Sequence, residues 1–201
     1  FVTIDGSNAK DFDDAVYAEE SSDGFLLYVA IADVSEYVLQ DSSLDKEAFS
    51  RATSVYFEKK VIPMLPELIS NKLCSLRPNE DKLVLTCEIY LDGEGEIKSY
   101  EFFNSVICSK NRLTYDEVEK FYQKGQTALS DDIVSNLNAL KKIHALRRKI
   151  REERKAIDFY LPEYRPVGKE NKIIKFKSIN HLLANEVIEE SMILAIFVQQ
   201  N

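Results

Sequence analysis

Apolar residues recur with the spacing of β-strands in six segments of the chain. These segments are Phe1–Ile4, Ala15–Ala18, Phe25–Ala32, Lys82–Leu91, Ile97–Ser109 and Lys172–Lys177. Turn residues at 21–24 (Ser-Ser-Asp-Gly) and 92–95 (Asp-Gly-Glu-Gly) predict hairpins between the second and third strands and between the fourth and fifth. A shorter extended segment is predicted at Ser54–Phe57.

Five further segments have the apolar periodicity or the end signals of helices. They are Leu44–Ala52, Pro66 to about Leu73, Thr114 to about Gln123, Asp131 to about Lys155, and His181–Gln199. Ser42 or Ser43 is expected to cap the first helix, and Thr114 with Glu117 has the pattern of a capping box. Helices mixed with hairpin-linked strands predict an α+β fold, with helices packed on a mixed, mainly antiparallel sheet. The length predicts a single domain over residues 1–201.

The composition is that of an ordinary globular protein, with 45% hydrophobic and 30% charged residues. No apolar run in the sequence approaches the ~20 residues that a membrane span needs, so no membrane partner is expected. The cysteines, Cys74, Cys87 and Cys108, are odd in number and widely spaced. This suits neither a disulfide framework nor a metal-binding pair. We therefore expect buried thiols in a reducing, cytoplasmic environment.

Charge is distributed unevenly along the chain, whose formal net charge is −8. Residues 1–50 carry 12 acidic residues against 2 basic ones, whereas residues 141–155 carry 8 basic residues against 2 acidic ones. The net charge argues against a polyanionic partner, but an acidic pole with a basic helix suits a metal-dependent enzyme acting on a phosphate substrate. It suits a plain solvated surface equally well, so charge alone does not choose between them.

Four carboxylates lie close together at the start of the chain, at Asp5, Asp11, Asp13 and Asp14. Like charges at this spacing repel one another unless a cation neutralises them, and a hard divalent ion such as Mg²⁺ or Mn²⁺ prefers oxygen ligands. In an extended segment Asp11 and Asp13 share one face and Asp14 lies opposite, so a loop or bulge is required to bring all four together. A solvated acidic turn is the alternative. The spacing excludes an EF-hand.

Other candidate residues lie further along the chain. Glu189 is on the last helix, which is apolar nearly all round and is therefore predicted to be buried. A buried carboxylate must be paired, hydrogen-bonded or metal-bound. Tyr56 and Tyr115 offer rings on which bases stack, although core or surface packing is the commoner role for any one of the 10 Tyr and 11 Phe. His144 and His181 form no metal motif, and the basic helix is either a solvated face or a phosphate track.

Seven stretches, in order along the chain, resemble the RNB domain of ribonuclease II and ribonuclease R. They are Thr3–Val16 (TIDGSNAKDFDDAV), Ala30–Val38 (AIADVSEYV), Thr53–Asn71 (TSVYFEKKVIPMLPELISN), Leu73–Pro78 (LCSLRP), Leu113–Val118 (LTYDEV), Ala156–Phe159 (AIDF) and Glu186–Ala195 (EVIEESMILA). The first and third are the most specific. Within the third, TSVYF and VIPMLP resemble the ribonuclease R branch more closely.

The resemblance implies a Mg²⁺-dependent hydrolytic 3′→5′ exoribonuclease that degrades single-stranded RNA to nucleoside 5′-monophosphates. By resemblance, Asp5, Asp11, Asp13 and Asp14 match the catalytic aspartates, which hold Mg²⁺ and position the scissile phosphate. Two divalent ions suit this chemistry, because together they activate a water and stabilise the leaving oxygen.

The resemblance also implies contacts with RNA. Tyr56 matches a tyrosine that stacks near the 3′-terminal nucleotide, Tyr115 matches another base-contacting aromatic, and Glu189 matches a glutamate that lines the RNA channel. The chain departs from the family near Leu182 and Glu186, where basic residues are usual.

The family's arginine-rich motif, a further catalytic acid and flanking OB-type RNA-binding domains are expected outside residues 1–201. Residues 1–201 alone are therefore expected to show little or no exonuclease activity. A non-catalytic RNB-like RNA-binding module is the alternative, and the four mutually repelling aspartates argue against it. An unrelated Mg²⁺-dependent phosphohydrolase would not account for the stretch Thr53–Asn71.

Overall fold

A six-stranded sheet lies at the centre of the computed structural model, which describes residues 1–57, 60–125, 128–157, 163–169, 172–179 and 181–200. Its strands are β1 (Val2–Asp5), β2 (Asp14–Ser21), β3 (Gly24–Ala32), β6 (Asp81–Asp92), β7 (Ile97–Cys108) and β8 (Asn111–Thr114). Two separate hairpins pair β4 (Val55–Tyr56) with β5 (Val61–Ile62), and β9 (Glu163–Lys169) with β10 (Lys172–Ile179). The order across the sheet is β7-β6-β3-β2-β1-β8. Every neighbouring pair is antiparallel except β1 and β8, so the predicted mainly antiparallel sheet is confirmed.

Among the described residues, four α-helices accompany the sheet, and two of them begin at the caps that the sequence predicts. They are α1 (Ser43–Arg51), α2 (Tyr115–Lys124), α3 (Asp131–Glu153) and α4 (Leu183–Gln199). The hydroxyl of Ser42 accepts a hydrogen bond from the amide of Asp45, and Thr114 with Glu117 forms the capping box. Both cap predictions are therefore confirmed. Within the described part of the chain, no helix is both long and apolar enough to cross a bilayer.

Buried apolar side chains form a core on each face of the sheet. Leu27 and Ile89 belong to the larger core, which they share with Leu137 of α3 and with residues of α2 and α4. Ala30 belongs to the smaller core on the other face. This core also contains residues of α1, Leu76 and the irregular segment that precedes Leu76. Leu27 and Ala30 fall on opposite faces because side chains alternate along a strand. The helices and the irregular segment therefore enclose the sheet from both sides.

The prediction that the last helix is buried all round is wrong. Ala184, Val187 and Leu194 are buried on one side of α4, but Glu189 and Ile196 are exposed on the other. The apolar residues of the exposed side give the sequence its uniform hydrophobicity, which periodicity alone does not separate from burial. The carboxylate that α4 does bury belongs to the neighbouring residue, Glu190, which is 4% exposed.

The basic residues of α3 form ion pairs with glutamates of α4, and pairing is one of the alternatives that the sequence left open for carboxylates on this helix. Arg147 Nε and Arg151 Nη1 lie 3.7 and 3.3 Å from the carboxylate oxygens of Glu190. Arg148 Nη1 donates to Glu186 at 2.8 Å. This stretch is therefore partly neutralised inside the fold rather than being a wholly solvated face.

Other differences from the predictions are local. The segment after Pro66 forms a π-helical turn at Ile69–Leu73 instead of a regular helix, and β5, β8 and β9 were not predicted. Cys74 and Cys87 are free and buried, as expected, whereas Cys108 is free but only half-buried. Four residues of the stretches that carry the family resemblance lie outside the described residues, namely Glu58, Lys59, Asp158 and Phe159.

Candidate active site

An irregular loop at residues 6–13 connects β1 to β2 and carries or adjoins all four predicted aspartates. Asp5 is the last residue of β1 and Asp14 is the first residue of β2. The antiparallel register pairs Val2 of β1 with Val16 of β2, so the end of β1 and the start of β2 lie at the same edge of this strand pair. The sequence required a loop or bulge to bring the carboxylates together, and the chain has such a loop.

The backbone of this loop is held by the segment at residues 75–76. The hydroxyl of Ser75 accepts a hydrogen bond from the amide of Phe12 at 3.1 Å and donates one to the carbonyl of Lys10 at 2.9 Å. The amide of Leu76 donates to the carbonyl of Phe12 at 2.8 Å. Because Ser75 and Leu76 are fully buried, these bonds fix the loop to the smaller core.

Arg112 holds the other end of the same loop. Its Nη2 donates to the carbonyl of Gly6 at 2.7 Å and to that of Ser7 at 3.0 Å. The guanidinium lies over the ring of Phe12, with 5.4 Å between Cζ and the ring centroid. The start and the end of the loop are therefore joined through one side chain of β8.

Asp5, Asp13 and Asp14 resist ionisation. Burial, followed by the charges of Asp5 and Asp13, raises the pKa of Asp14 to about 6. Loss of hydration, followed by the charges of Asp11 and Asp5, raises the pKa of Asp13 to about 6. Burial also raises the pKa of Asp5, against the opposing effects of the Gly6 amide and of Arg112. Asp5 acts on both other groups, so the carboxylates form one electrostatic cluster.

Tyr56 reaches the cluster from the β4–β5 hairpin. Its hydroxyl donates to Oδ2 of Asp11 at 3.0 Å, while 65% of the residue remains exposed. Burial of the phenol and this bond to Asp11 raise the pKa of Tyr56. An exposed ring anchored by its hydroxyl is available for stacking on one face.

Tyr115 and Glu189 are connected to the cluster by charge interactions. Tyr115 is the first residue of α2, and it follows Thr114, which pairs with Asp5 across the parallel strands. Burial, followed by the charges of Asp5, Asp14 and Glu189, raises the pKa of Tyr115 to about 12. Glu189 is exposed, and its carboxylate lies 3.5 Å from Nε2 of His181. The seven predicted site residues are thus linked by hydrogen bonds or by charge interactions.

The donor set has the chemistry of a Mg²⁺ or Mn²⁺ site, because it consists of carboxylate oxygens. Burial first, and then charge repulsion within the cluster, raises the pKa values of Asp5, Asp13 and Asp14. However, among the residues that the structure describes, no three His, Cys, Asp or Glu side chains are grouped closely enough to hold one metal ion. The carboxylates therefore fit a divalent cation in type without forming a closed coordination sphere.

Sequence reasoning missed Ser75 and Arg112. Ser75 lies inside the LCSLRP stretch, and Arg112 immediately precedes the LTYDEV stretch. Neither residue carries an acidic or aromatic signal, and their partners in the loop are 63 to 106 positions away along the chain. Only the pairing of β8 with β1 and the placement of the segment at 75–76 bring them to the site.

Comparison with known proteins places this arrangement in a family. The RNB domain family matches residues 1–197, and the chain therefore belongs to the RNB family. Ribonuclease R of Vibrio parahaemolyticus is 44% identical, and the match covers 96% of this chain and 24% of that protein. Ribonuclease R of Escherichia coli is 43% identical, with the same two shares.

A solved structure has the same fold. Mycoplasma genitalium RNase R, in complex with ribose-methylated single-stranded RNA, superposes with a TM-score of 0.93 at 38% identity. The match covers 97% of this chain and 31% of that one. The chain spans about a quarter of the length of the curated relatives named above. The α+β fold and the resemblance to the RNB domain are thereby confirmed.

Proposed function

We propose that this chain is part of the catalytic domain of a hydrolytic 3′→5′ exoribonuclease that degrades single-stranded RNA to nucleoside 5′-monophosphates. One observation carries the proposal: the four aspartates form one electrostatic cluster at the loop of residues 6–13. Tyr56 donates a hydrogen bond to Asp11 of this cluster, and Tyr115 interacts with the charges of Asp5 and Asp14. Membership of the RNB family, whose matched relatives are named ribonuclease R, supports it.

The proposed cofactor is Mg²⁺, with Mn²⁺ as a substitute, held by Asp5, Asp11, Asp13 and Asp14. When bound, divalent ions supply activation of a water and stabilisation of charge on the scissile phosphate and the leaving oxygen. The chain's own contribution is to hold carboxylates within range of one another's charge, and a cation relieves the resulting repulsion.

The aromatic residues suit an enzyme that accepts any sequence. Tyr56 presents a mostly exposed ring whose hydroxyl is held by Asp11, so a base stacked on it lies next to the carboxylates. Tyr115 is half-buried beside Asp5 and Asp14 and stays protonated, so its hydroxyl can donate to RNA. Stacking tolerates every base because each has a π-face, and a degradative enzyme needs this tolerance.

Most of the affinity for RNA must come from groups other than these. The chain has a formal net charge of −8, and glutamates of α4 partly neutralise the arginines of α3. Because phosphate contacts supply most of the affinity for nucleic acids, basic groups elsewhere in the full natural protein are required, including the proposed OB-type domains. The charge of this chain therefore fits a cation-loaded site better than a surface that binds RNA alone.

The proposal is tested with the full natural protein and an oligo(A) substrate labelled at its 5′ end. We expect shortening from the 3′ end with release of AMP in Mg²⁺ or Mn²⁺, and no reaction in EDTA. The Asp23→Asn variant serves as a matched control, because Asp23 is an exposed aspartate in the turn at the opposite end of β2 from Asp14. Tight RNA binding without hydrolysis under any divalent ion would instead support the non-catalytic RNA-binding module.

A further inference from the structure

Two carbonyl groups of the acidic loop converge on one guanidinium. The carbonyl of Gly6 accepts hydrogen bonds from the amide of Ala9 at 3.1 Å and from Arg112 Nη2 at 2.7 Å, and the same Nη2 donates to the carbonyl of Ser7 at 3.0 Å. Hydrogen bonds from a charged donor are stronger than neutral ones. The start of the loop is therefore fixed by a side chain from the neighbouring strand.

The same guanidinium also contacts the end of the loop. It lies over the ring of Phe12, which is 9% exposed and packs in the smaller core. Arg112 itself is placed by the parallel ladder, in which it pairs with Thr3 two residues before Asp5. Gly6, Ser7 and Phe12 bracket Asp11 and adjoin Asp5 and Asp13, so Arg112 restricts the backbone on both sides of the carboxylates.

The positive charge of Arg112 is close to the aspartates, but its hydrogen bonds are to backbone carbonyl groups. It opposes the rise in the pKa of Asp5, yet no described carboxylate lies within ion-pair distance of its guanidinium. A guanidinium that bonded a carboxylate directly would occupy an oxygen that a cation needs. Because Arg112 bonds backbone carbonyls instead, the carboxylate oxygens stay available while a fixed positive charge remains beside them.

We propose that Arg112 is a positioning residue of the acidic loop: by bridging the Gly6 and Ser7 carbonyls and stacking on Phe12, it sets the spacing of the aspartates for a divalent cation. The part of this inference that concerns the cation rests on the proposed function. The part that concerns the loop does not. Side chains that orient metal ligands without touching the metal typically change affinity 10- to 100-fold when they are replaced.

The test compares Arg112→Met and Arg112→Lys with the wild type in the full natural protein. Arg112→Met keeps most of the length and loses the charge, whereas Arg112→Lys keeps the charge but lacks the planar fork that bridges two carbonyls and stacks on a ring. The control is Lys142→Met, which removes an exposed positive charge paired with Glu20 at the far end of β2. Melting temperatures identify any variant that is globally unfolded.

The first measurement is amide hydrogen exchange of residues 6–12 without divalent ions. We expect exchange to be about tenfold faster in both Arg112 variants and unchanged in Lys142→Met, since the loss of a charged hydrogen bond costs at least that factor. The second is the Mn²⁺ dissociation constant by calorimetry, which we expect to rise about tenfold or more in both Arg112 variants.

Loop exchange at the wild-type rate in Arg112→Met would overturn the inference, and so would a wild-type Mn²⁺ affinity in that variant. Wild-type behaviour of Arg112→Lys in both measurements would overturn the role of the fork. If Arg112→Met does not fold, Arg112→Lys decides by the same criteria. If the wild type binds no divalent ion, the proposed function fails, and the exchange measurement still decides whether Arg112 holds the loop.

Discussion

The hydroxyl of Tyr56 donates a hydrogen bond of 3.0 Å to Oδ2 of Asp11, across 45 positions of the chain. This bond joins the β4–β5 hairpin to the acidic loop, so the ring proposed to stack on a base and a carboxylate proposed to hold a cation are mechanically connected. The residue as a whole remains 65% exposed. The hydroxyl and the ring therefore have separable roles, the first in placing the side chain and the second in contacting RNA.

Substitutions at Tyr56 separate these two roles. Tyr56→Ala is expected to weaken binding of single-stranded RNA by about 1–3 kcal/mol, because it removes a stacking platform. Tyr56→Phe keeps the ring and loses only the bond to Asp11, so its RNA affinity is expected to stay close to that of the wild type. Fluorescence anisotropy with an oligo(A) ligand in the full natural protein measures both. An equal loss in the Phe and Ala variants would contradict a stacking role.

The raised pKa values of Asp13 and Asp14 predict how cation binding depends on pH. Both carboxyls have a pKa of about 6 in the folded chain, compared with an ordinary value of 3.8. Their contribution to folding stability is present in full below the ordinary value and is lost as pH rises through 6. A divalent cation relieves the resulting repulsion, so Mn²⁺ should raise the melting temperature markedly at pH 7.5 and little at pH 5.

The control for this prediction is the Asp14→Asn variant, in which one of the two titrating groups is absent. Its Mn²⁺-induced rise in melting temperature should be smaller at pH 7.5 and should change less between pH 5 and pH 7.5. A rise that is equal at both pH values in the wild type would contradict the assignment of these carboxyls to the cation.

Substitution of Glu190 is expected to change folding stability without involving the candidate active site. Its carboxylate is 4% exposed and lies between Arg147 and Arg151, of which Arg147 is also buried. Removing one partner of a buried ion pair leaves an uncompensated charge, so Glu190→Gln should destabilise the chain by about 3–5 kcal/mol. Glu152→Gln, which breaks the exposed pair with Arg148, should cost less than about 1 kcal/mol. Thermal unfolding compares the two variants, and similar losses would contradict the buried pair.

The sequence predicted the parts of the fold that depend on local signals. The hairpin turn at residues 21–24 and the capping box of Thr114 and Glu117 are local in sequence, and both are present. The acidic segment between two strands could be recognised from the sequence, because four like charges at this spacing repel one another unless a cation neutralises them. Tyr115 follows from the capping box, since the residue after the cap begins the helix.

The parts that the sequence did not predict depend on contacts between distant segments. β8 has four residues, and it is a strand because it pairs in parallel with β1 more than a hundred positions away. Ser75 and Arg112 acquire their roles only from the loop that they hold. The exposed side of α4 was predicted to be buried, because hydrophobicity reports what a residue prefers and not which neighbour covers it.

Residues 1–201 alone are expected to show little or no exonuclease activity. The chain carries the aspartates, but its net charge is −8, and its most basic helix is partly neutralised by α4. Weak phosphate contacts reduce RNA affinity steeply at physiological salt. The purified chain is incubated with labelled oligo(A) in Mg²⁺ or Mn²⁺ beside the full natural protein. Efficient release of mononucleotides by the chain alone would contradict this expectation.

The most direct test of the proposed function is the Asp14→Asn variant of the full natural protein, measured in a single-turnover assay together with its RNA affinity. Asp14 is the residue of the cluster that begins β2, and the substitution removes one proposed cation ligand while it keeps the size of the side chain. The account predicts that hydrolysis is lost while the dissociation constant for single-stranded RNA stays near the wild-type value, because binding depends on phosphate and stacking contacts elsewhere. Hydrolysis at a near wild-type rate would contradict it.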